Sequence, residues 1–490
     1  MPDRRLAWAL IVLAVAARAA AVLALRSHAT PHSTYEHGEI AANLVAGRGF
    51  STRFLGADGP TSQQAPAYPM LVAAAYAAGG VGTPRALLIL ELGQAALGGV
   101  LVASAMALAA EALPDRRRVA IFAGLVAAFH PTLVYAATHV QVASLAATLL
   151  TATLAFASRG GRTGRARDAM ATGALLAALT LTDPILALAA PGIAWAIAQG
   201  RGGLRGAARP IALVALTAAL GVAPWIARNA RVHGELVWVK STFGYAFWQG
   251  NCAGSEGTDK VVRPSVERAL TEGRGGLRGL NESLWKARHE AGYIDDVALT
   301  RADYRVLGKL SEPGRSRLLF RGALADLRAD PGRYPRLCLR RLRYFVFFDE
   351  TNPKTRNLPY RASHLALTTL AILGGLVMGR DARRRLGPTA LTAALIGAFH
   401  TLTIVSARFH VPIEPLMGLW AAAGLSCRGS AAAADHVEGV GVIRRGLGVR
   451  RLEPAGRTAR GGQPRRQHRA ADDARHPDGP RGGPDRVGDL

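Results

Sequence analysis

Between Leu6 and Leu425 the chain alternates long apolar runs with short polar breaks. The runs are Leu6–Leu25, Ala86–Ala110, Val119–Tyr135, Ala136–Ser158, Ala169–Leu181, Pro184–Gln199, Ala208–Ala227, Ala362–Met378, Leu386–Val405 and Val411–Leu425. Most approach the roughly 20 residues that carry a helix across a bilayer. The first is longer than the apolar part of a cleaved leader, and further runs follow it, so it reads as a retained span. In the polar breaks the pattern changes. "EIAANLVAG" predicts a short amphipathic helix closing at Gly47. "GPT" predicts a turn, and "PAYPMLVAAAYAAGG" predicts a second short helix that re-enters the interface. Polar backbone in such a place is tolerated only over a protein-lined cavity. Further on, "ESLWKARHEAGY" and "ADYRVLGKL" read as short amphipathic helices. "RYPRLCLRRLRYFVFF" reads as a helix lying at the membrane surface, since its five arginines are costly in lipid. The fold class that follows is an all-α integral membrane protein: a polytopic helical bundle of about ten spans, with interfacial helices in the first external loop and a short external α-rich segment.

Composition agrees with membrane residence. Half of the 490 residues are hydrophobic, mean hydropathy is +0.15, and alanine and leucine rather than aromatics (6%) carry the apolar load. A formal charge of +26 would suggest nucleic acid in a soluble protein. Here the arginines sit in every second short loop: "MPDRR", "PDRRR", "SRGGRTGRARD", "QGRGGLRGAAR", "GRDARRR" and the tail. That alternation assigns these loops and both termini to the cytoplasm, and 27–85 and 229–361 to the outside of the inner membrane; no nucleic-acid partner is expected. Residues 1–426 read as one transmembrane domain. Residues 427–490 contain no lysine, phenylalanine, tyrosine or tryptophan and read as a disordered cytoplasmic tail rich in arginine, glycine and proline, either dispensable or translated from a shifted frame. Three cysteines give no ligand spacing; Cys252 and Cys338 have the option of pairing if both lie outside.

"YEHGEIAANLVAGRGF" followed by "GPTSQQAPAYP" resembles the first external loop of bacterial polytopic glycosyltransferases of the GT-C superfamily, in the group of protein O-mannosyltransferases and the aminoarabinose transferase of lipid A. "LTLTDPILALAAPG", "APWIARNARVHGELVWVKSTFGYAFWQGN" and "RFHVPIEPLMGLWAAAGL" resemble later parts of the same family, in order, so that the likeness covers nearly everything but the tail. The resemblance implies an inverting transfer of a sugar from a polyprenyl-phosphate donor to an acceptor hydroxyl of a glycan, lipid or protein. It needs one carboxylate as base and cations on the phosphate, but no cofactor and no metal. Glu36 matches the family's catalytic acid, where Asp is frequent, and Glu39 one turn on is the second candidate. Arg18, Tyr35, His37, Gln64, Tyr68, Arg228, Asn229, Trp248, Asn251, Arg408 and His410 are the expected donor- or substrate-binding residues, and Arg228 and Asn229 have a structural alternative as the end of a span. His130 and His139 flank one corner as cavity-lining residues or metal ligands, without a third ligand in view. Asp183 and Gln141 depart from the family's usual arginine and glutamate. Arg18 and Glu91, at similar depth in the first two spans, are expected to pair. A transporter or flippase of lipid-linked sugars, or a non-catalytic scaffold of envelope assembly, are the alternatives.

Overall fold

The computed structural model describes residues 4–30, 34–259, 299 and 301–426. The tail and the "ESLWKARHEAGY" helix lie outside the described residues. Helix occupies all ten apolar runs. The order is α1 (Arg4–Leu25), α2 (Tyr35–Val45), β1 (Ser51–Phe54), β2 (Ala57–Pro60), α3 (Ala67–Gly79), α4 (Pro84–Ala112), α5 (Arg117–Phe129), α6 (Pro131–Tyr135), α7 (Ala143–Thr163), α8 (Ala166–Thr180), α9 (Ala190–Gly200), α10 (Leu204–His233) and α11 (Phe243–Asn251). After the undescribed stretch come α12 (Arg301–Leu307), α13 (Glu312–Ala329), α14 (Arg333–Val346), α15 (Leu358–Val377), α16 (Arg380–Leu402) and a last helix, α17, over 414–426.

The count of ten spans is not reproduced by length. Among the described residues three helices, α1, α4 and α10, are long and apolar enough to cross a membrane, and a fourth results if α5 and α6, bent by 48°, form one broken span. The others are shorter or carry arginines near one end, as α16 does at its start and α7 at its close. These apolar helices mark a membrane protein. Helix α4 starts on Thr83, whose side chain accepts from the Ala86 N–H, with Pro84 behind it at a position that needs no donor.

Arg18 and Glu91 do not pair. The Arg18 guanidinium donates to the carbonyls of Ala127 (2.7 Å) and Ala128 (2.8 Å), at the C-terminal end of α5. A cation there meets the negative end of the helix dipole and carbonyls with no helical partner. Glu91 instead faces His28, at 3.3 Å. Gly98 makes the arrangement possible: a Cβ there would lie 2.3 Å from Arg18 Cδ. Cys252 and Cys338 are both free thiols.

The first loop departs from an all-helical reading. Helix α2 ends as expected, with Gly47 at φ +74, and α3 forms as expected. Between them lies an antiparallel hairpin, with Ser51 opposite Pro60 and Phe54 opposite Ala57. Its tight turn is Leu55–Gly56, both at positive φ, so "GPT" continues out of a strand rather than forming the turn. Two-residue hairpin turns of this kind match the right-handed strand twist. The cue was hidden because Leu55 takes the place usually held by Asn or Asp. Helix α14 carries an apolar face inward, with Leu337, Arg341, Tyr344 and Phe345 buried and Leu339 and Leu342 exposed.

Candidate active site

A loop of 61–64 runs alongside 240–242, and this pairing builds the site. Ser241 N–H donates to the Ser62 carbonyl (3.0 Å), and Thr242 Oγ1 donates to the Gln63 carbonyl (3.3 Å). The buried Glu312 carboxylate at the start of α13 fastens both strands of chain: it accepts from Thr61 Oγ1 (2.6 Å), the Ser62 N–H (2.7 Å) and Ser241 Oγ (2.5 Å). Each such bond to a charged group contributes about 1.5–3 kcal/mol. From the start of this stretch the Lys240 side chain reaches Gln64, whose Oε1 accepts from the Lys240 ammonium at 3.1 Å.

Around Lys240 the charged groups converge. Glu36 in the first turn of α2 and Asp183 at the α8–α9 corner both attract the Lys240 ammonium, and Arg408 repels it. Burial, then Arg408, holds the ammonium below its ordinary pKa despite the two carboxylates. His37 is pushed down to about 3 by burial first, then by Lys240 and Arg408. It is therefore neutral at physiological pH, and its Nδ1 has no hydrogen-bond partner among the described residues. Glu36, His37, Gln64, Asp183, Lys240 and Arg408 all keep part of their surface accessible. Desolvated His37 and Lys240 thus share one partly accessible polar cluster with Glu36, Asp183 and Arg408.

Local structure explains each position. Asp183 caps its own corner by accepting from the Ile185 N–H (3.1 Å), and Ala67 N–H donates to the Leu181 carbonyl, tying α3 to that corner. Val405 N–H donates to the Gly257 carbonyl and Thr258 bridges to Val405; this brings Asp259 to 3.7 Å from Arg408. Tyr35 holds φ +52 immediately before Glu36, a left-handed conformation unfavourable for a bulky residue. Gly38 permits the tight start of α2, because a Cβ there would lie 2.1 Å from Thr34 Oγ1.

The other expected residues are distributed as follows. Glu39 is exposed and accepts from the Arg53 N–H, at 2.8 Å, in the hairpin. Tyr68 is buried, edge-on to His37 with centroids 5.0 Å apart, and donates to Gln94, which in turn holds the carbonyls of Ala137 and His139. Arg228 donates to the carbonyls of Phe50 (2.9 Å) and Thr61 (2.6 Å) and stacks on Trp225. Asn229 is buried between Ser62 Oγ and the Trp238 carbonyl. These two residues clamp the loop from α10. Trp248 packs with Phe54 and Leu307, and Asn251 bonds the Phe247 and Thr403 carbonyls. Arg18 is engaged with α5. His410 faces Glu414 at 3.0 Å and Tyr360 at 3.0 Å. The structure thus gathers Glu36, His37, Gln64 and Arg408 around Lys240, sets Arg228 and Asn229 into the supports of the 61–64 loop, and leaves Trp248 and Asn251 in packing and backbone contacts of α11. Tyr135 and His139 lie 3.0 Å apart at the corner after α6.

Sequence reasoning does not single out Lys240 or Asp259. Lys240 is one of only five lysines among 60 basic residues, and it follows "VWV". Rarity and apolar flanks are the available signal.

No family model and no curated protein matches the chain. Among solved structures it is similar to the oligosaccharyltransferase AglB from Archaeoglobus fulgidus in complex with an inhibitory peptide and a dolichol-phosphate, at 13% identity and TM-score 0.47, covering 91% of this chain and 52% of that one. It is also similar to ArnT from Cupriavidus metallidurans bound to undecaprenyl phosphate, at 15% identity and TM-score 0.39, covering 84% and 77%. The chain spans about half the length of the oligosaccharyltransferase.

Proposed function

We propose that this protein transfers a sugar from a polyprenyl-phosphate donor to an acceptor hydroxyl, with inversion, at the outer face of the cytoplasmic membrane. The observation that carries the reading is the cluster in which two carboxylates, Glu36 and Asp183, and the Arg408 cation all act on one desolvated lysine. Lys240 and Arg408 hold the lipid phosphate and neutralise the charge that grows on it as the sugar leaves. The phosphate leaves as a stable anion, so no general acid is required. Glu36 accepts the proton of the acceptor hydroxyl, whose oxygen forms the new bond to the anomeric carbon while the bond to the phosphate oxygen breaks. Asp183 offsets the Lys240 charge while the donor is absent. Neutral His37 stands beside Lys240 and Arg408 without adding a third cation.

A flippase moves the same lipids without breaking that bond, so release of free polyprenyl phosphate separates the two functions. The protein in proteoliposomes is offered polyprenyl-phosphate sugars, and release is followed against donor concentration. Wild-type protein is expected to turn over. Lys240→Met is expected to raise the donor KM by roughly 10- to 100-fold, the equivalent of one charge-assisted hydrogen bond of about 1.5–3 kcal/mol. An unchanged donor KM in Lys240→Met removes the phosphate role. Transport of the donor without any release of polyprenyl phosphate refutes the transferase.

A further inference from the structure

In the same corner as Arg408, four titratable side chains meet that the proposed transfer does not use. Glu414 in α17 is fully buried, as are His364 of α15 and His410 before α17, and His130 at the α5–α6 bend is nearly so. The three imidazoles converge on one carboxylate. His410 Nδ1 is 3.0 Å and His364 Nδ1 3.5 Å from Glu414 Oε1; His130 Nε2 is 3.6 Å from Oε2. The candidate ligand atoms of His364, His410 and Glu414 all lie within 4.8 Å of one another.

The outer nitrogens are already engaged. His364 Nε2 lies 3.2 Å from the Val346 carbonyl, and His410 Nε2 lies 3.0 Å from the Tyr360 hydroxyl. A carbonyl only accepts, so Nε2 of His364 carries the proton and its Nδ1 presents a bare lone pair to a carboxylate oxygen. Two electron-rich atoms then face each other in a buried place, and both His364 Nδ1 and Glu414 Oε2 lack a hydrogen-bond partner among the described residues. Something positive belongs between them. A proton on one imidazole serves one contact, and separations of 3.5 and 3.6 Å exceed ordinary hydrogen bonds. A metal serves the His364, His410 and Glu414 atoms together, since all three lie within reach of one ion. With ligands at about 2.0–2.1 Å, a tetrahedral ion sets its ligand atoms about 3.3–3.4 Å apart. The outer carbonyl and hydroxyl are the partners that orient metal-bound histidines.

We propose that His364, His410 and Glu414, with His130 at the second carboxylate oxygen, bind a divalent transition metal of the zinc type. Two imidazoles and a carboxylate suit such an ion, a water completes the coordination, and His130 holds the second carboxylate oxygen. The site ties the α5–α6 bend to α15 and α17. It goes beyond the proposed transfer and does not depend on it, because metal content is read without turnover.

The test uses the full chain, purified in detergent without a histidine tag, stripped with a chelator and dialysed against ZnCl2 or CoCl2. Wild-type protein is expected to retain one metal per chain, and its cobalt form to show the intense visible absorption of a four-coordinate site. The isosteric Glu414→Gln and the double variant His364→Gln/His410→Gln are expected to lose that metal and that band. The cobalt spectrum of the unaltered chain decides between a bound and an unbound ion even if a variant fails to fold. A wild-type cobalt spectrum like that of the aqueous ion, or zinc content equal in wild type and folded Glu414→Gln, overturns the site and leaves a protonated histidine cluster.

Discussion

Lys240 and His37 illustrate how a polar residue is tuned by its surroundings more than by its neighbours in sequence. His37 is held down to about 3, from an ordinary value near 6.5, by burial and by the Lys240 and Arg408 charges. A folded-state pKa below the unfolded one means that the unfolded chain binds more protons between those values. Stability conferred by neutral His37 is therefore full above about pH 6.5 and falls as pH drops towards 3. Thermal unfolding in detergent should weaken between pH 6.5 and 5.5 by on the order of 1 kcal/mol from this group. His37→Gln should flatten that slope; an equal slope in wild type and variant would assign the acid sensitivity elsewhere. Glu36, His37 and Arg408 were singled out by the resemblance of their segments to a known family, and the structure sets all three close to Lys240. Lys240 was not legible, since its role arises from the pairing of 61–64 with 240–242, and a run of single residues does not encode that register.

At the scale of elements, apolar runs foretold where helices form but not which charges meet between them. Depth along two neighbouring spans brought Arg18 and Glu91 to a similar level, and depth alone suggested a pair. The carbonyl end of α5 outcompetes the carboxylate because it lies beside α1 and its last carbonyls have no helical partners. The consequence is measurable. Arg18→Met leaves the Ala127 and Ala128 carbonyls without their donor and should destabilise the protein by about 1–3 kcal/mol. Glu91→Leu acts on the contact with His28. Having no shared partner, the two substitutions should add to within about 0.3–0.5 kcal/mol in a double-mutant cycle. A coupling above about 1 kcal/mol would restore the direct pair. The hairpin was hidden for a related reason: its turn uses Leu55 at positive φ, a choice no local propensity favours.

For the whole molecule, the alternation of arginine-rich loops predicts one orientation for the spans, and that orientation would decide from which side the proposed site is reached. In a background lacking Cys252, Cys338 and Cys427, a cysteine in place of the exposed Asp115 should be shielded from membrane-impermeant thiol reagents in intact cells. A cysteine in place of Gly254, which has open space around its Cα, should label. The opposite pattern would turn the proposed site to the cytoplasm. The central claim, that Glu36 is the base of a glycosyl transfer, is tested most directly by donor turnover in Glu36→Gln. The amide keeps size and shape but takes up no proton. The account predicts that the variant still inserts and binds donor with near wild-type affinity, while release of polyprenyl phosphate coupled to acceptor glycosylation falls by about 10²- to 10⁴-fold. Turnover within a few-fold of wild type in a folded Glu36→Gln protein would contradict it.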